Sequence, residues 1–247
     1  MIKKLGIIGG TGLTQMPQLT ALTTQQINTP FGDATVSTGL IQNNEVVFLA
    51  RHGHPHKLAP HKVNYQANIW ALKHLGVTDI IAVNAVGGIS QKMQAGAICV
   101  PDQIIDYTYG REHTFFDGSE VDFPLKHIDF TYPYTQTLRE LLISASSDLI
   151  DFAVYGATQG PRLESVAEIN KLEKDGCDIV GMTAMPEAAL AREIDLNYGC
   201  LALVVNPAAG KSDTLITMEQ IYQVLNDGIE QVCDIIVSAS NAFYANS

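Results

Sequence analysis

Short apolar runs alternate with amphipathic segments along the whole chain. Apolar runs closed by Gly, Pro or polar residues predict β-strands at residues 5–8, 45–50, 79–83, 152–157 and 200–205. Apolar positions spaced three and four residues apart predict helices at residues 64–75, 134–146, 164–174, 186–194 and 217–238. Because strands and helices alternate, the pattern predicts an α/β fold: a single-domain αβα sandwich around a central mixed or largely parallel sheet.

The sequence contains no repeat, low-complexity segment or Pro/Ser-rich linker that would divide it. We therefore expect residues 1–247 to form one domain. The least regular stretch is 111–130, which is rich in aromatic and acidic residues. A loop of this length is often functional, so this stretch is interpreted as a surface excursion, an active-site lid or a subunit contact.

Composition narrows the class of protein. A hydrophobic content of 46% and a charged content of 17% in 247 residues fit a folded core and exclude a disordered chain. The formal net charge of −11 opposes nonspecific binding to nucleic acid or to an anionic membrane. Because the sequence has no 18-residue apolar run, and its start leads into a glycine turn and not into a signal-peptide hydrophobic stretch, it predicts a cytoplasmic protein.

The four cysteines lie far apart, without the paired spacing of a zinc or thioredoxin-type site. We expect Cys99, Cys177, Cys200 and Cys233 to be reduced and mostly buried thiols.

Two segments that follow predicted strands carry groups suited to an anion. The glycine-rich residues 9–13 would let backbone amides approach an anion, with the Thr11 hydroxyl as a further donor, but a plain tight turn fits equally well. Arg51 offers a planar fork of donors for phosphate oxygens, and we expect the adjacent His52 to donate one more hydrogen bond. A metal site built from His52, His54 and His56 is the alternative, which the lack of an acidic or cysteine partner nearby disfavours.

The sequence does not match two other motifs, the P-loop of nucleotide-binding proteins and the nucleophile motif of hydrolases. A P-loop ending at residues 210–212 would need glycine where Val205 stands, and no G-x-S-x-G motif is present.

Taken together, seven segments resemble the nucleoside phosphorylases of the purine nucleoside and methylthioadenosine phosphorylase family. They are residues 6–13 (GIIGGTGL), 29–32 (TPFG), 49–53 (LARHG), 63–72 (VNYQANIWAL), 160–164 (GPRLE), 181–183 (GMT) and 185–187 (MPE). The resemblance implies phosphorolysis, in which phosphate displaces a purine from C1′ of a ribosyl group through a transition state similar to an oxocarbenium ion. It implies no metal and no organic cofactor, because inorganic phosphate is a co-substrate.

The resemblance also assigns residues to the phosphate and the ribose. The family's phosphate contacts fall on Thr11, Arg51, His52, Asn84, Ala85 and Thr183. Asn84 departs from the threonine of the methylthioadenosine enzymes, although the Ala85 backbone amide can still serve. Met182 matches the residue under the ribose, and core packing is its alternative role.

Asn206 and Glu164 are expected to bind the base and to act in catalysis, with Leu163 and Ala208 lining the substrate beside them. An amide at Asn206 can accept from N7–H and donate to O6, whereas the aspartate of adenine-selective members can only accept. Glu164 matches the glutamate that accepts from N1–H of 6-oxopurines, and a lone pair at adenine N1 would leave two acceptors facing each other. The alternative for Glu164 is an ordinary acid in the first turn of a helix.

The 5′ end of the sugar is expected to meet an apolar wall. Ile221 replaces the histidine that contacts the 5′-hydroxyl in enzymes for ordinary nucleosides, and burial there favours a methylthio group, although Ile221 could equally serve the core. His127 resembles a residue that closes the pocket from a neighbouring subunit, and the resemblance implies a homotrimer or two trimers paired into a hexamer.

These assignments favour S-methyl-5′-thioinosine as the substrate, with hypoxanthine and 5-methylthioribose 1-phosphate as products. The alternatives are a methylthioadenosine phosphorylase, a general 6-oxopurine nucleoside phosphorylase, and a nucleotide-binding regulatory module without catalysis.

Overall fold

A mixed β-sheet forms the centre of the molecule. The computed structural model describes residues 3–13, 16–118 and 123–245, and within them the sheet has ten strands. The strands are β1 (Leu5–Gly9), β2 (Leu19–Thr29), β3 (Gly32–Ile41), β4 (Asn44–Ala50), β5 (Asp79–Gly88), β6 (Ile98–Cys99), β7 (Gln103–Asp106), β8 (Val154–Ala157), β9 (Ile179–Gly181) and β10 (Asn197–Pro207). Their order is β2-β3-β4-β1-β5-β9-β8-β7, with β10 beside β5 and β6 beside β10.

Helices cover both faces of the sheet. They are α1 (Tyr65–His74), α2 (Gln136–Ser144), α3 (Val166–Lys174), α4 (Ala184–Glu193) and α5 (Met218–Ala245). Successive side chains of β5 enter two different cores, since Ile80 and Ala82 belong to the core with α1 and α4 whereas Ile81 and Val83 belong to the core with α5. The α/β fold, with an αβα sandwich around a central mixed sheet, is confirmed.

Every predicted strand and helix is present, with shifted ends. Strand β10 is longer than predicted and ends at Pro207, and α5 continues to Ala245. The structure adds β2, β3, β6, β7 and β9, which the sequence pattern did not predict. Strand β2 is exposed along most of its length and carries four threonines and two glutamines, so it gives almost no apolar signal.

The irregular stretch 111–130 is anchored at its start. Residues 119–122 lie outside the described part of the chain, and the remainder of the stretch forms no helix or strand. The Phe115 ring is buried and packs edge-on against Phe31, with 5.1 Å between ring centroids. The role of this stretch as a surface excursion, a lid or a subunit contact stays a prediction.

The cysteines and the helices bear on two expectations drawn from the sequence. All four cysteines are buried and free of disulfides, as predicted. No described helix combines the length and the apolar character needed to cross a membrane.

Candidate active site

A cavity of about 310 Å³ opens where neighbouring parallel strands end. Strands β4, β1, β5 and β10 run parallel, and the loops at the carboxyl edge of such a sheet commonly bind ligands. All predicted site residues except His127 line this one cavity: Thr11, Arg51, His52, Asn84, Ala85, Leu163, Glu164, Met182, Thr183, Asn206, Ala208 and Ile221. Residues brought from seven parts of the chain therefore meet in one cavity.

Arg51 lies at the end of β4 and is held by a buried carboxylate. Its Nε and Nη2 donate to the two oxygens of Glu187 at 2.6 and 2.7 Å, and its Nη1 donates to the Val83 carbonyl at 3.0 Å. Tyr198 donates a further bond to Glu187 at 2.7 Å. Burial opposes the charge of Arg51, but the Glu187 carboxylate outweighs it and raises the pKa of Arg51. Arg51 therefore stays charged and keeps two N–H groups for an anion.

His52 has a single ring nitrogen left for a ligand. Its Nδ1 lies 2.8 Å from the Leu58 carbonyl, an acceptor, so Nδ1 carries the hydrogen. Burial and the adjacent charge of Arg51 lower the pKa of His52 to about 4, which leaves the ring neutral near pH 7. Its Nε2 therefore presents a lone pair. In this neutral tautomer Nε2 can accept from the hydroxyl of a hydrogen phosphate ion, whereas a donor role would require a second proton on the ring; the predicted contact of His52 with the anion stays a prediction.

The alternative histidine metal site finds no geometric support. The rings of His52 and His56 are stacked, with centroids 4.4 Å apart, and do not converge on a common point. In the described ranges no group of three or more His, Cys, Asp or Glu side chains could hold a metal ion.

The neutral His52 predicts a stability that depends on pH. The folded pKa lies below the usual value, so the unfolded chain binds the proton more tightly and the stabilisation is lost as the pH falls from 6.5 toward 4. Between pH 7 and pH 5 we expect wild type to lose about 2 kcal/mol more free energy of unfolding than His52→Gln, measured by urea denaturation. Parallel losses in the two proteins would contradict a neutral, buried His52.

Asn84 and Thr183 are joined in a buried chain of hydrogen bonds. The Asn84 Nδ2 donates to the Thr183 hydroxyl at 2.7 Å, and the Cys200 thiol donates to the Asn84 Oδ1 at 3.4 Å. The Thr183 oxygen is therefore an acceptor toward Asn84, which leaves its own hydrogen for another acceptor. The amide of Asn84 is largely used within the protein.

Two polar side chains mark another part of the cavity. Glu164 precedes the helix cap Ser165, and the acid in the first turn of α3 is Glu168, so the ordinary-helix-acid alternative for Glu164 is wrong. The Glu164 Oε1 accepts from the Thr158 hydroxyl at 2.6 Å. Asn206 follows a bulge in β10 after Val204, and its Nδ2 donates to the Pro207 carbonyl at 2.7 Å. Its Oδ1 and its second N–H are left for a ligand.

The remaining wall is apolar. Ile221 is 7% exposed and belongs both to the core and to the cavity lining, so its core packing is compatible with the predicted contact at the 5′ end of the sugar, which stays a prediction. Ile216, Met218 and Tyr222 extend this wall. Met182 packs against Gly160, where φ is +61° and an added Cβ would lie 2.3 Å from the Met182 sulfur, so the position requires glycine.

His127 is exposed and does not line the cavity of its own chain. Its predicted contact with a neighbouring subunit's pocket stays a prediction.

Three residues of the site lie outside the expectations drawn from the sequence. Glu187 was noted only as part of a motif, although a glutamate among the apolar residues of α4 signals a buried partner. Thr158 and Arg111 gave no signal. Arg111 donates to four backbone carbonyl groups, those of Thr158, Gln159, Met182 and Met185, at 2.6–3.2 Å.

Comparisons with known proteins find relatives along nearly the whole chain. A family model described as the phosphorylase superfamily matches residues 4–241. A protein of Pseudomonas syringae named probable S-methyl-5′-thioinosine phosphorylase is 58% identical, over 92% of this chain and 94% of that protein. The 6-oxopurine nucleoside phosphorylase of Pyrococcus furiosus is 40% identical, over 96% of this chain and 91% of that protein.

A solved structure extends the similarity to the whole fold. The methylthioadenosine phosphorylase of Schistosoma mansoni, in complex with adenine, superimposes with a TM-score of 0.93 at 31% identity, covering 99% of this chain and 93% of that chain. Because the family model spans nearly all of the sequence and these relatives cover it almost end to end, the chain belongs to the phosphorylase superfamily.

Proposed function

We propose that this enzyme catalyses the phosphorolysis of S-methyl-5′-thioinosine to hypoxanthine and 5-methylthioribose 1-phosphate. The observation that carries the proposal is one cavity that joins three chemistries: anion donors, a carboxylate with an amide, and an apolar wall. The names of the relatives from P. syringae and P. furiosus fit the same base class. The reaction needs no metal and no organic cofactor in this proposal, since phosphate is the co-substrate.

The anion end suits the nucleophile. Arg51 is the residue with a permanent positive charge among the described residues of the cavity lining. Because Glu187 offsets that charge, the hydrogen-bond donors of Thr11, Thr183 and the Ala85 backbone are needed beside it. His52 would accept the single hydroxyl of hydrogen phosphate, which turns the unprotonated oxygens toward C1′.

The base end suits a 6-oxopurine leaving group. Negative charge grows on the purine as its bond to C1′ breaks, and Asn206 would accept from N7–H and donate to O6. The free oxygen of Glu164 would accept from N1–H. Adenine has a lone pair instead of N1–H, so the carboxylate disfavours methylthioadenosine.

The apolar wall suits a methylthio group at C5′. Ile221 offers no hydrogen bond to a 5′-hydroxyl, whereas burying a methyl-sized group there contributes about 0.8 kcal/mol. This wall favours the methylthio substrate over inosine.

Steady-state kinetics with three nucleosides tests the proposal. We expect kcat/KM to be largest for methylthioinosine and smaller for inosine and for methylthioadenosine, with base release only when phosphate is present. A clear preference for methylthioadenosine would overturn the base assignment, and a preference for inosine would overturn the role of Ile221. Binding of nucleoside without phosphate-dependent base release would instead support the regulatory module.

We infer a homotrimer, or a pair of trimers, in which His127 reaches a neighbouring pocket. Its exposure in the single chain leaves it available for such a contact. Light scattering would give the mass of the assembly. The cytoplasmic location stays a prediction.

Thr183→Val should weaken phosphate binding specifically. Removing the hydroxyl deletes one donor to an anion, so the KM for phosphate should rise about tenfold while the KM for the nucleoside changes little. Asn84→Leu should have a similar effect, because Asn84 orients the Thr183 hydroxyl through the 2.7 Å bond.

A double-mutant cycle separates orientation from direct contact. If Asn84 acts through Thr183, the Asn84→Leu change adds little to the phosphate KM once Thr183 is valine. Additive losses would contradict this arrangement and would place the Asn84 amide directly on the phosphate.

A further inference from the structure

We propose that Thr158 is a positioning residue that sets the base preference by holding the Glu164 carboxylate. This inference rests on the proposed function of Glu164 as the acceptor for N1–H. It starts from the 2.6 Å contact between the Thr158 Oγ1 and the Glu164 Oε1.

The direction of this hydrogen bond is fixed. An ionised carboxylate only accepts, so the Thr158 hydroxyl donates. The same hydroxyl lies 3.3 Å from the Gly181 carbonyl, which also only accepts. Thr158 therefore serves solely as a donor here, and its bond occupies one carboxylate oxygen and leaves Oε2 for the substrate.

Thr158 itself is held rigidly. Its backbone N–H donates to the Gly181 carbonyl at 2.8 Å, which continues the pairing of β8 with β9 beyond Ala157. Its carbonyl accepts from Arg111 at 3.2 Å. Arg111 also donates to the Met182 carbonyl at 2.8 Å, so it joins the loop that carries Thr158 to the loop that carries Met182.

Glu164 lies on a more exposed segment, where the charge of Arg162 interacts with it electrostatically, but among the described residues no hydrogen bond joins the two side chains. It lies after the three exposed residues Pro161, Arg162 and Leu163 and just before the cap of α3. Across the described ranges, Thr158 is the side chain that the structure places in a hydrogen bond with the Glu164 carboxylate. Glu164 also lines a second cavity of about 290 Å³, which leaves space for its carboxylate to turn away from the first cavity.

A turned carboxylate would lose its power to discriminate between bases. It would no longer accept from N1–H of hypoxanthine, and it would no longer oppose the lone pair of adenine. Removal of the Thr158 hydroxyl should therefore harm the 6-oxopurine substrate and spare, or help, the 6-aminopurine substrate. A residue that only supports the fold would affect both substrates equally.

The test measures kcat/KM for methylthioinosine and for methylthioadenosine in wild type, Thr158→Val and Thr158→Ser. Valine keeps the shape of threonine without the donor, and we expect the ratio of the two values to fall about tenfold. Serine keeps the donor and should restore most of the ratio. Both values of a ratio are measured on the same preparation. A loss of folded enzyme lowers both equally and therefore leaves the ratio unchanged.

Thr78→Val is the matched control. It removes another hydrogen bond from a threonine to a carboxylate, the 2.7 Å bond from Thr78 to Asp79. This bond lies at the start of β5, whereas the cavity lies at the end of that strand. Its ratio should equal that of wild type. An unchanged ratio in Thr158→Val, or an equal loss on both substrates, would overturn the inference.

The same measurements distinguish a failure of the role of Thr158 from a failure of the proposed function. If wild type itself shows no preference for the 6-oxopurine nucleoside, the proposed function fails. If wild type shows the preference and Thr158→Val keeps it, only the role of Thr158 fails.

Discussion

Arg51→Met is expected to reduce phosphate-dependent base release by at least about 100-fold and to lower the free energy of unfolding by about 3–5 kcal/mol. The activity falls because the cavity loses its permanent positive charge toward phosphate. The stability falls because Glu187, which is 1% exposed, is left as a buried charge without its partner. Release of hypoxanthine and urea denaturation give the two quantities.

A second substitution separates the two effects. In Arg51→Met/Glu187→Gln the lone buried charge is gone, while the amide oxygen still accepts from Tyr198. We expect much of the lost stability to return and the activity to stay as low as in Arg51→Met. Recovery of activity in this double variant would show that Arg51 serves the fold and not the phosphate.

An exposed arginine–glutamate pair that also forms two hydrogen bonds is the stability control. Arg162 donates two hydrogen bonds to Glu168 at 2.8 and 2.7 Å, but the Arg162 side chain is 71% exposed. Arg162→Met should therefore lower the free energy of unfolding much less than Arg51→Met does, because water replaces the lost bonds. A comparable loss in both variants would mean that burial is not what makes the Arg51 pair important.

The strands that were predicted from the sequence are mainly those whose residues are buried and therefore apolar. Strands β5 and β10 are almost wholly buried and stand out as apolar runs. The β2–β3 hairpin is held by backbone pairing between Leu19–Thr29 and Gly32–Ile41, and Thr24 and Ser37 even pair through their hydroxyls on its exposed face. Strand β2 is mostly exposed and polar, and β3 is buried only at Ala34, Val36, Gly39 and Ile41, so the hairpin carries too few apolar residues to be predicted from their pattern.

The sequence predicted which residues line the site, but not how their hydrogen bonds are arranged. Arg51 and His52 follow a strand and carry nitrogen atoms suited to an anion, and resemblance assigned the other predicted residues of the cavity lining. The proton on the His52 ring could not be read from the sequence, because it depends on the Leu58 carbonyl six residues away in a folded loop. Glu187 is 136 residues from Arg51, so only the fold brings the two together. Arg111 acts on backbone carbonyls, which every sequence has.

Asn206→Asp is expected to lower kcat/KM for methylthioinosine about 100-fold and to shift the ratio of methylthioinosine to methylthioadenosine at least about tenfold toward the latter. The carboxylate cannot donate to O6. It also cannot donate to the Pro207 carbonyl, which the amide now reaches at 2.7 Å, so two oxygens would face each other and the side chain must turn. Methylthioadenosine has no O6 and loses less.

Asn226→Asp is the control for charge. Residue 226 is exposed on α5 and does not line the cavity, so the substitution adds the same negative charge to a chain whose formal charge is already −11. Its ratio should stay at the wild-type value. If Asn206→Asp also keeps that value, the base preference is set elsewhere in the cavity, and Glu164 alone must account for it. If the ratio moves only in Asn206→Asp, the amide at the bulge of β10 reads the 6-position of the departing base.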